Sequence, residues 1–334
     1  MSLPLEGRSA IVTGAGRGLG RAEALELARL GAAVVVNDYG APRRDGVTPS
    51  AEDGGSGGRT SAAPAGSVPA EAAPAESVAE EIRAAGGRAV AHVGDVADFE
   101  SAADLVDLAV REYGQLDILV NNAGILRDRM IFSMSEDEWD SVIRVHLKGH
   151  FNTTHFAAAY WRSRSKAAGG GPVYGRIVNT SSEAFLAGSA GQPNYAAAKG
   201  GIVGLTTSTA LALAKYGVTA NVICPRARTR MTEDVFAGFA EPESGRLDPL
   251  SPAHVAPLVG YLASPQAANV NGRLLVVHGG MVAVVERPRV TAKFDAEKEM
   301  FGFEELADVL GEYFLGRPKG ETFAAAEVLG LKRG

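Results

Sequence analysis

The chain alternates between short apolar runs and helix-length amphipathic stretches. The runs are rich in Val and Ile and alternate only weakly in polarity, which is typical of parallel strands covered on both faces. Strands are predicted at 10–13, 33–37, 89–93, 118–121, 176–180, 220–223 and 274–277, and helices at 19–30, 77–85, 99–113, 135–161, 194–216 and 252–263. This alternation predicts right-handed crossovers and an α/β fold, a doubly wound parallel sheet with helices on both faces.

A segment at 41–75 interrupts the alternation. It consists largely of Gly, Pro, Ala and Ser, contains no aromatic residue, and has Val47 and Val68 as its only large aliphatic side chains. Such a composition cannot bury enough apolar surface to offset the entropy of ordering. The sequence therefore predicts a flexible surface insertion between the second strand and its helix.

Residues 286–334 follow the last predicted strand. In this segment Phe303, Leu306, Leu310 and Phe314 recur at helical spacing, which predicts one amphipathic helix. The segment is too short and too thinly apolar to fold alone. We therefore expect one domain at 1–285 and a partly helical extension at 286–334, which could cover the functional site or dock on a neighbouring subunit.

Bulk properties exclude several classes of function. The chain has 334 residues, of which 46% are hydrophobic and 22% charged, so it can bury a core without a disulfide or a metal, and we expect no metal site. A net charge of −6 argues against nucleic acid or an anionic membrane as the main partner. A single cysteine, no secretory signal and no run of ~18 apolar residues favour a cytoplasmic protein.

The first predicted strand leads directly into TGAGRGLG and then into a helix. Three glycines of this loop leave space where a pyrophosphate must approach the backbone, and the helix N-terminus supplies free N–H groups. A glycine pattern alone is a weak signal, because tight turns are common, but its place between a strand and a helix is the context that a dinucleotide site requires. We therefore expect Gly14, Arg17, Gly18, Leu19 and Gly20 to bind a dinucleotide.

Asp38 ends the second predicted strand. Its carboxylate could accept hydrogen bonds from both ribose hydroxyls of NAD and would repel the extra phosphate of NADP. The alternative is a solvated acid in a turn. Arg17 is a counter-signal because it could pair with a 2′-phosphate, as could Arg43 and Arg44 if the insertion folds back. We expect NAD as the cofactor, with NADP possible.

Polar residues follow the third and fourth predicted strands, at the edge where open α/β sheets bind ligands. The candidate cofactor-binding residues there are Asp95, Val96, Asn122, Ala123 and Gly124. Two alternatives stay open. Asp95 could simply cap the helix that begins near Phe99, and Asn121 could tie neighbouring strands together instead of contacting the cofactor.

Ser182 follows the fifth predicted strand, and Tyr195 and Lys199 lie further along, where their i, i+4 spacing places them on one helix face. A phenol titrates near ~10 in water, and a nearby ammonium lowers that pKa. Lys199 could also hold the nicotinamide ribose. Ser182 could donate a hydrogen bond to a substrate oxygen while Tyr195 gives or takes its proton. Each residue alone has a structural explanation, but the three together predict catalysis of hydride transfer between an alcohol and a ketone.

The chain resembles the short-chain dehydrogenase/reductase family over roughly residues 5–280, in TGAGRGLG, NNAG, Ser182, YAAAK and the order of its elements. This resemblance implies a single Rossmann-type domain with a parallel sheet of about seven strands, a homotetramer or dimer, and the roles of serine, tyrosine and lysine given above. The chain is also similar to the (3R)-hydroxyacyl-CoA dehydrogenase part of multifunctional β-oxidation enzymes and their bacterial relatives, in VVVNDYG, GILRDRMIFSMSEDEWDSVIRVHLKGHF and GQPNYAAAK.

The sequence departs from the family pattern at His146, where the family usually has an asparagine. In the family this helix kink holds a water that extends a proton relay from the lysine. A backbone carbonyl could hold the same water whatever the side chain, so we expect activity to survive. A packed or capping histidine is as compatible with the sequence as a relay role, and we include His146 among the candidate catalytic residues.

A second departure is Pro225-Arg226, where the family usually has Pro-Gly. Arg226, Arg228 and Arg230 would lie beside the nicotinamide and the substrate entrance, where they could attract an acyl-CoA or another acidic substrate. Equally, they could be solvated surface residues. We include Pro225 and Arg228 among the candidate cofactor contacts.

The leading hypothesis is a 3-hydroxyacyl-CoA dehydrogenase or the reverse 3-oxoacyl-thioester reductase. A hydroxysteroid or other secondary-alcohol dehydrogenase is the first alternative, because Phe185 and Leu186 could face an apolar substrate, although they could equally belong to the core. A catalytically silent cofactor-binding regulatory protein is the alternative from another class. The intact Ser182, Tyr195 and Lys199 argue against it, since a binding role does not need them.

Overall fold

The computed structural model describes residues 2–40, 74–228, 248–318 and 321–331. The predicted insertion at 41–75 lies outside the described residues except for its last two positions. Arg43, Arg44, Val47, Val68 and Arg230 also lie outside them.

Eight strands form one sheet in the order β3-β2-β1-β4-β5-β6-β7-β8. They are β1 Ser9–Thr13, β2 Ala33–Asp38, β3 Arg88–Val93, β4 Ile118–Asn121, β5 Gly175–Thr180, β6 Val218–Pro225, β7 Leu274–His278 and β8 Met281–Val285. Parallel pairings join the first seven strands. The predicted doubly wound sheet of about seven parallel strands is therefore confirmed.

The eighth strand was not predicted. β8 pairs antiparallel with β7, and Gly279 and Gly280 form the two-residue turn between them, with Gly279 at a φ of +51°. A Gly-Gly pair between two apolar runs is a known hairpin signal, because glycine adopts positive φ without steric cost. The last strand of the described sheet is therefore β8, which ends directly before the predicted extension.

Nine helices connect or follow the strands within the described ranges. They are α1 Gly18–Arg29, α2 Pro74–Ala84, α3 Phe99–Tyr113, α4 Glu136–Ile143, α5 Gly149–Ala167, α6 Glu183–Ala187, α7 Pro193–Leu213, α8 Ala256–Ala263 and α9 Phe303–Phe314. The helix predicted at 135–161 is divided, because the wider turn Arg144–Lys148 separates α4 from α5. None of the described helices is long and apolar enough to cross a bilayer.

The central strands of the sheet are buried on both faces, which explains the weak alternation of their sequences. In β1, Val12 packs with α1, α2 and α8 on one face, while its neighbour Ile11 packs with α3, α5 and α7 on the other. Trp161 of α5 is fully buried and donates its indole N–H to the Leu116 carbonyl at 2.7 Å. Both layers of helices are thereby held against the central strands of the sheet.

The strand order reverses between β1 and β4, since β2 and β3 extend to one side of β1 and β5 to β8 lie beyond β4. A crevice at the carboxyl ends of the strands is expected at such a switch point. Beyond β8, the chain contains α9 and a short turn at Ala326–Gly330. The division into a domain at 1–285 and an extension stays a prediction.

Candidate active site

A cleft of about 710 Å³ opens at the carboxyl ends of the central strands. Most of the predicted site residues line it, namely Gly14, Arg17, Gly18, Leu19, Asp38, Asp95, Val96, Asn122, Ala123, Gly124, His146, Ser182, Tyr195, Lys199 and Pro225. Gly20 and Arg228 do not line the part of the cleft that the structure describes. The cleft thus brings together groups from six separate strand ends.

The glycine loop has no room for side chains. Gly14 has a φ of +61°, and a Cβ there would lie 2.8 Å from the Ala123 Cα. A Cβ on Gly20 would lie 2.4 Å from the Gly14 carbonyl oxygen, so Gly20 permits close packing of the loop instead of facing the cleft. α1 begins at Gly18 without a side-chain cap and without an acid in its first turn. Its free N–H groups fit the pyrophosphate of a dinucleotide.

The Asp38 carboxylate is anchored at the end of β2. Its Oδ2 accepts a hydrogen bond from the Gly16 N–H at 3.0 Å, and its Oδ1 accepts one from the Gly40 N–H at 3.0 Å. Each carboxylate oxygen keeps acceptor capacity beyond these single bonds. The negative charge is therefore fixed beside the glycine loop, while Arg17 lies exposed at the same end of the cleft.

The two asparagines after β4 have different surroundings. Asn121 is buried and donates to the Asn179 Oδ1 at 2.9 Å, while its own Oδ1 accepts from the Thr153 hydroxyl at 2.7 Å. Asn122 lines the cleft and donates to the carbonyls of Thr13 and Gly14. Asn121 therefore ties β4 to β5 and α5, as one of the two sequence interpretations expected, and Asn122 braces the glycine loop.

Asp95 does not cap α3. Its Oδ1 accepts from the Ala97 N–H at 2.9 Å, and its Oδ2 forms a close ion pair with Arg144. The cap is Asp98, whose carboxylate accepts from the Ser101 N–H at 2.7 Å. The capping alternative for Asp95 is wrong because the N-cap position is Asp98, three residues later, and Asp95 lines the cleft instead.

Ser182, Tyr195 and Lys199 converge at the other end of the cleft. Ser182 precedes α6, accepts a hydrogen bond from the Ala184 N–H at 3.1 Å, and is hydrogen-bonded to Tyr195. The Lys199 Nζ lies 5.3 Å from the centre of the Tyr195 ring and donates to the Thr180 carbonyl at 2.7 Å. A serine hydroxyl, a phenol and an amine therefore meet within one site.

Burial is the main cause of the pKa shifts of Tyr195 and Lys199. Desolvation raises the pKa of Tyr195 to about 12, although the Ser182 hydrogen bond lowers it in part. Desolvation also lowers the pKa of Lys199 to about 7. The expectation that Lys199 would lower the pKa of Tyr195 is wrong for the protein alone, because the buried lysine is itself poorly charged near neutral pH.

His146 lies in the wide turn between α4 and α5 and is buried. Its Nε2 is 3.0 Å from the Ile125 N and 2.8 Å from the Ile125 O. A Cβ on Gly124 would lie 2.1 Å from the imidazole Cε1, so the ring occupies the space that the glycine leaves. The Nδ1 has no hydrogen-bond partner among the described residues. The structure thus shows that the His146 ring packs against Gly124, and a role in a proton relay stays a prediction.

Asn194 is a site residue that the sequence analysis missed. It is fully buried, and its amide donates to the carbonyls of Arg127 and Glu138, each at 2.9 Å. Its Oδ1 accepts from the Tyr195 N–H at 2.7 Å. Asn194 therefore joins the loop after β4 and α4 to the start of α7, where Tyr195 stands. Its position before the tyrosine was the only signal available, since its partners are distant in sequence.

Tyr39 and Arg144 also line the cleft and were not selected from the sequence. Tyr39 directly follows Asp38 and is 65% exposed, so its position beside the predicted ribose contact was a usable signal. Arg144 lay inside a predicted helix and offered none, because its ion pair with Asp95 spans 49 positions.

Two arginines of the basic segment after β6 lie within the described residues, and both form ion pairs. Arg226 is paired with Glu183, and Arg228 is paired with Asp248 at 3.0 Å. Arg226 and Arg228 are therefore not freely solvated charges, and the attraction of an acidic substrate by this segment stays a prediction.

Phe185 and Leu186 do not line the described part of the cleft, although Glu183 does. A Cβ on Gly200 of α7 would lie 3.7 Å from the Phe185 ring, so this side chain packs between α6 and α7. The structure thus shows a packing role for Phe185, while both residues are only half buried.

Comparisons with known proteins agree with this geometry. A family model described as short chain dehydrogenase matches residues 62–238. Hydroxyacyl-CoA dehydrogenase ChsB1 of Mycobacterium tuberculosis is 50% identical over 329 residues, which are 97% of this chain and 94% of that protein. Peroxisomal multifunctional enzyme type 2 of Mus musculus is 39% identical over 284 residues, 84% of this chain and 33% of the larger protein. A short chain dehydrogenase crystal structure from Mycobacterium avium superposes with a TM-score of 0.75 at 44% identity, covering 92% of this chain and 95% of that one. The chain belongs to the short-chain dehydrogenase/reductase family and is an NAD(P)-dependent oxidoreductase acting on CH–OH groups.

Proposed function

We propose that this protein interconverts a 3-hydroxyacyl-CoA and the corresponding 3-oxoacyl-CoA. The convergence of Ser182, Tyr195 and Lys199 in one cleft carries the proposal, because their chemistry suits proton exchange with a carbinol or ketone oxygen. The choice of substrate class is supported by ChsB1, whose name is that of a hydroxyacyl-CoA dehydrogenase and which matches nearly the whole chain.

The glycine loop, Asn122 and Asp38 would hold the dinucleotide, whose bound nicotinamide supplies or accepts the hydride. Gly14 lines the cleft without a side chain, and Gly20 allows the loop to pack closely behind it, so the backbone of the loop stays open to a pyrophosphate. We propose that NAD is preferred, since the anchored Asp38 carboxylate would repel a 2′-phosphate. The exposed Arg17, which also lines the cleft, favours the opposite choice.

Tyr195 is the proposed proton donor or acceptor at the substrate oxygen. Its raised pKa keeps the phenol protonated at neutral pH, which is the state needed to protonate a ketone oxygen during reduction. Ser182 stabilises the charge that gathers on that oxygen. Lys199 titrates near pH 7, so it can exchange protons with its surroundings and transmit them towards the phenol in either direction.

The test measures nicotinamide absorbance with NADH and NADPH, offering acetoacetyl-CoA and a ketosteroid side by side. We expect turnover of the thioester with NADH preferred. Turnover of the steroid alone would establish the alternative alcohol dehydrogenase, and NADH binding without turnover of either would establish the silent binding protein. Tyr195→Phe should lose at least about a hundredfold in kcat, whereas the control Tyr261→Phe, at a half-exposed residue of α8, should match the parent.

We also propose a cytoplasmic homo-oligomer. The only cysteine, Cys224, is a buried free thiol, which suits a reducing compartment. Val282 and Val284 of β8 are 52% and 67% exposed on a sheet edge, and apolar side chains of α9 are exposed as well, so a neighbouring subunit would cover apolar surface. Sedimentation of the full chain measures the oligomeric state.

A further inference from the structure

Arg226 and Glu183 form a bidentate ion pair at the edge of the cleft. The Arg226 Nε lies 2.5 Å from the Glu183 Oε2, and its Nη2 lies 2.8 Å from the Oε1. The two side chains are only 16% and 9% exposed, and both residues line the cleft. Glu183 is the first residue of α6 and directly follows Ser182. The pair therefore fixes the end of the helix at which the candidate serine stands.

The same guanidinium holds the C-terminal part of the chain. Its Nη1 donates to the Leu331 carbonyl at 3.1 Å, and its Nη2 donates to the Val328 carbonyl. We call residues 321–331 the C-terminal strap. The strap also bonds the far end of α6, since the Ala325 N–H donates to the Leu186 carbonyl at 2.6 Å. The strap thus spans α6 from one end to the other.

The strap has little apolar surface with which to hold itself in place. Val328 is 6% exposed, whereas Phe323 and Leu329 are 93% and 58% exposed. One buried valine contributes only modestly against the entropy of ordering eleven residues. The charged hydrogen bonds from Arg226 are the stronger contacts, because charge-assisted bonds in a partly buried setting exceed neutral ones. The strap is therefore expected to depend on Arg226.

We propose that Arg226 is a positioning residue that fixes the C-terminal strap against α6, and that the strap thereby determines which acyl chains the cleft accepts. The inference rests on the proposed function for its substrate class. It assigns a role to the arginine that stands where the resemblance leads to an expected glycine, which could make none of these bonds. The proposal also explains why the strap contacts α6 and Arg226, which adjoin the candidate active site of the same chain.

The experiment compares full-length variants that detach the strap by different means. Val328→Asp places a charge at a buried side chain of the strap. Leu329→Asp is the matched control, because it adds the same charge to the exposed neighbour. Arg226→Lys keeps a positive charge but cannot hold the carboxylate and both carbonyls at once. The readouts are kcat and KM for acetoacetyl-CoA and 3-oxohexadecanoyl-CoA, KM for NADH, and hydrogen exchange of the α6 and Ala325 amides.

We expect Val328→Asp and Arg226→Lys to accelerate exchange at the Ala325 amide and to change the ratio of kcat/KM between the two thioesters by about tenfold or more. The change should lie mainly in KM for the long thioester, with KM for NADH held within about twofold of the parent. Leu329→Asp should match the parent in every readout.

Two results would overturn the inference. Unchanged exchange at Ala325 in Arg226→Lys would show that the arginine does not hold the strap. Accelerated exchange with an unchanged thioester ratio in both variants would show that the strap does not select substrates. A parent enzyme that turns over neither thioester would refute the proposed function and the selectivity with it, while the exchange data would still decide whether Arg226 holds the strap.

Discussion

The imidazole of His146 meets the ring of Tyr195 edge to face, with ring centres 5.2 Å apart and planes at 86°. Burial and the nearby Lys199 hold the pKa of His146 well below its usual value, so the ring is neutral at physiological pH. Its Nε2 is engaged with the Ile125 backbone. The contact makes the histidine a neutral packing partner of the candidate proton donor.

His146→Asn should retain activity, with kcat within about tenfold of the parent. An asparagine can replace the polar contact with Ile125 but not the edge-to-face packing, so the loss should be modest. Because the imidazole is uncharged, the pH profiles of variant and parent should coincide between about pH 6 and 9. Steady-state kinetics across this range measure both effects. Complete loss of turnover in a folded variant would contradict this account.

Asn194→Asp should damage both stability and catalysis. The carboxylate cannot donate to the Arg127 and Glu138 carbonyls, so two buried acceptors lose their partners at a cost of about 2 kcal/mol or more. The start of α7 should loosen and kcat should fall by about tenfold, because Tyr195 is the next residue. Chemical denaturation and kinetics measure the two losses.

The control is Asn269→Asp, the same change at an exposed residue. It should leave stability and kcat as in the parent. If Asn194→Asp lowered stability yet left kcat intact, the asparagine would serve folding alone.

The fold could be predicted from the sequence because most strands of the parallel sheet contain short runs rich in Val and Ile that stand between helical stretches. The glycine loop and the tyrosine–lysine pair could also be predicted, because the residues of each motif lie close together in the sequence. The wide turn at Arg144–Lys148 was not, because its residues continue the helical pattern and only a change in backbone hydrogen bonding marks it.

Long-range polar contacts were equally hidden. Arg226 looked like a free charge in the sequence, but its partners lie 43 positions before it and 102 and 105 positions after it. The lowered pKa of Lys199 was not predicted, because the spacing of Tyr195 and Lys199 in the sequence does not show how deeply the lysine is buried. Its desolvation, which sets its pKa, depends on the closed packing of α7 against the sheet.

Asp38→Asn should shift cofactor preference towards NADPH. The amide oxygen can still accept from the Gly16 N–H, but the negative charge that would repel a 2′-phosphate is removed. We expect the ratio of kcat/KM for NADH over NADPH to fall by about tenfold. Asp107→Asn, at an exposed residue of α3, is the control and should keep the parental ratio. An unchanged ratio in Asp38→Asn would indicate that Arg17, and not Asp38, determines the preference between NADH and NADPH.

Glu23→Gln should stabilise the protein increasingly as pH rises. Glu23 of α1 is fully buried, neither carboxylate oxygen has a hydrogen-bond partner among the described residues, and burial raises its pKa from 4.5 to about 8. Between these values the unfolded chain releases a proton that the folded protein retains, so the parent loses stability as pH increases. The glutamine has no proton to release, so at pH 7 the variant should gain up to about 3 kcal/mol relative to the parent.

Thermal unfolding at about pH 5 and pH 8 measures this difference, and Glu80→Gln, at an exposed residue of α2, is the control. The Tm of Glu23→Gln minus that of the parent should be small at the lower pH and largest at the higher one, because the raised pKa imposes its full cost only above about pH 8. The Glu80→Gln difference should stay near zero at both. A Glu23→Gln difference that is constant with pH would show that the carboxyl group ionises equally in the folded and unfolded chains.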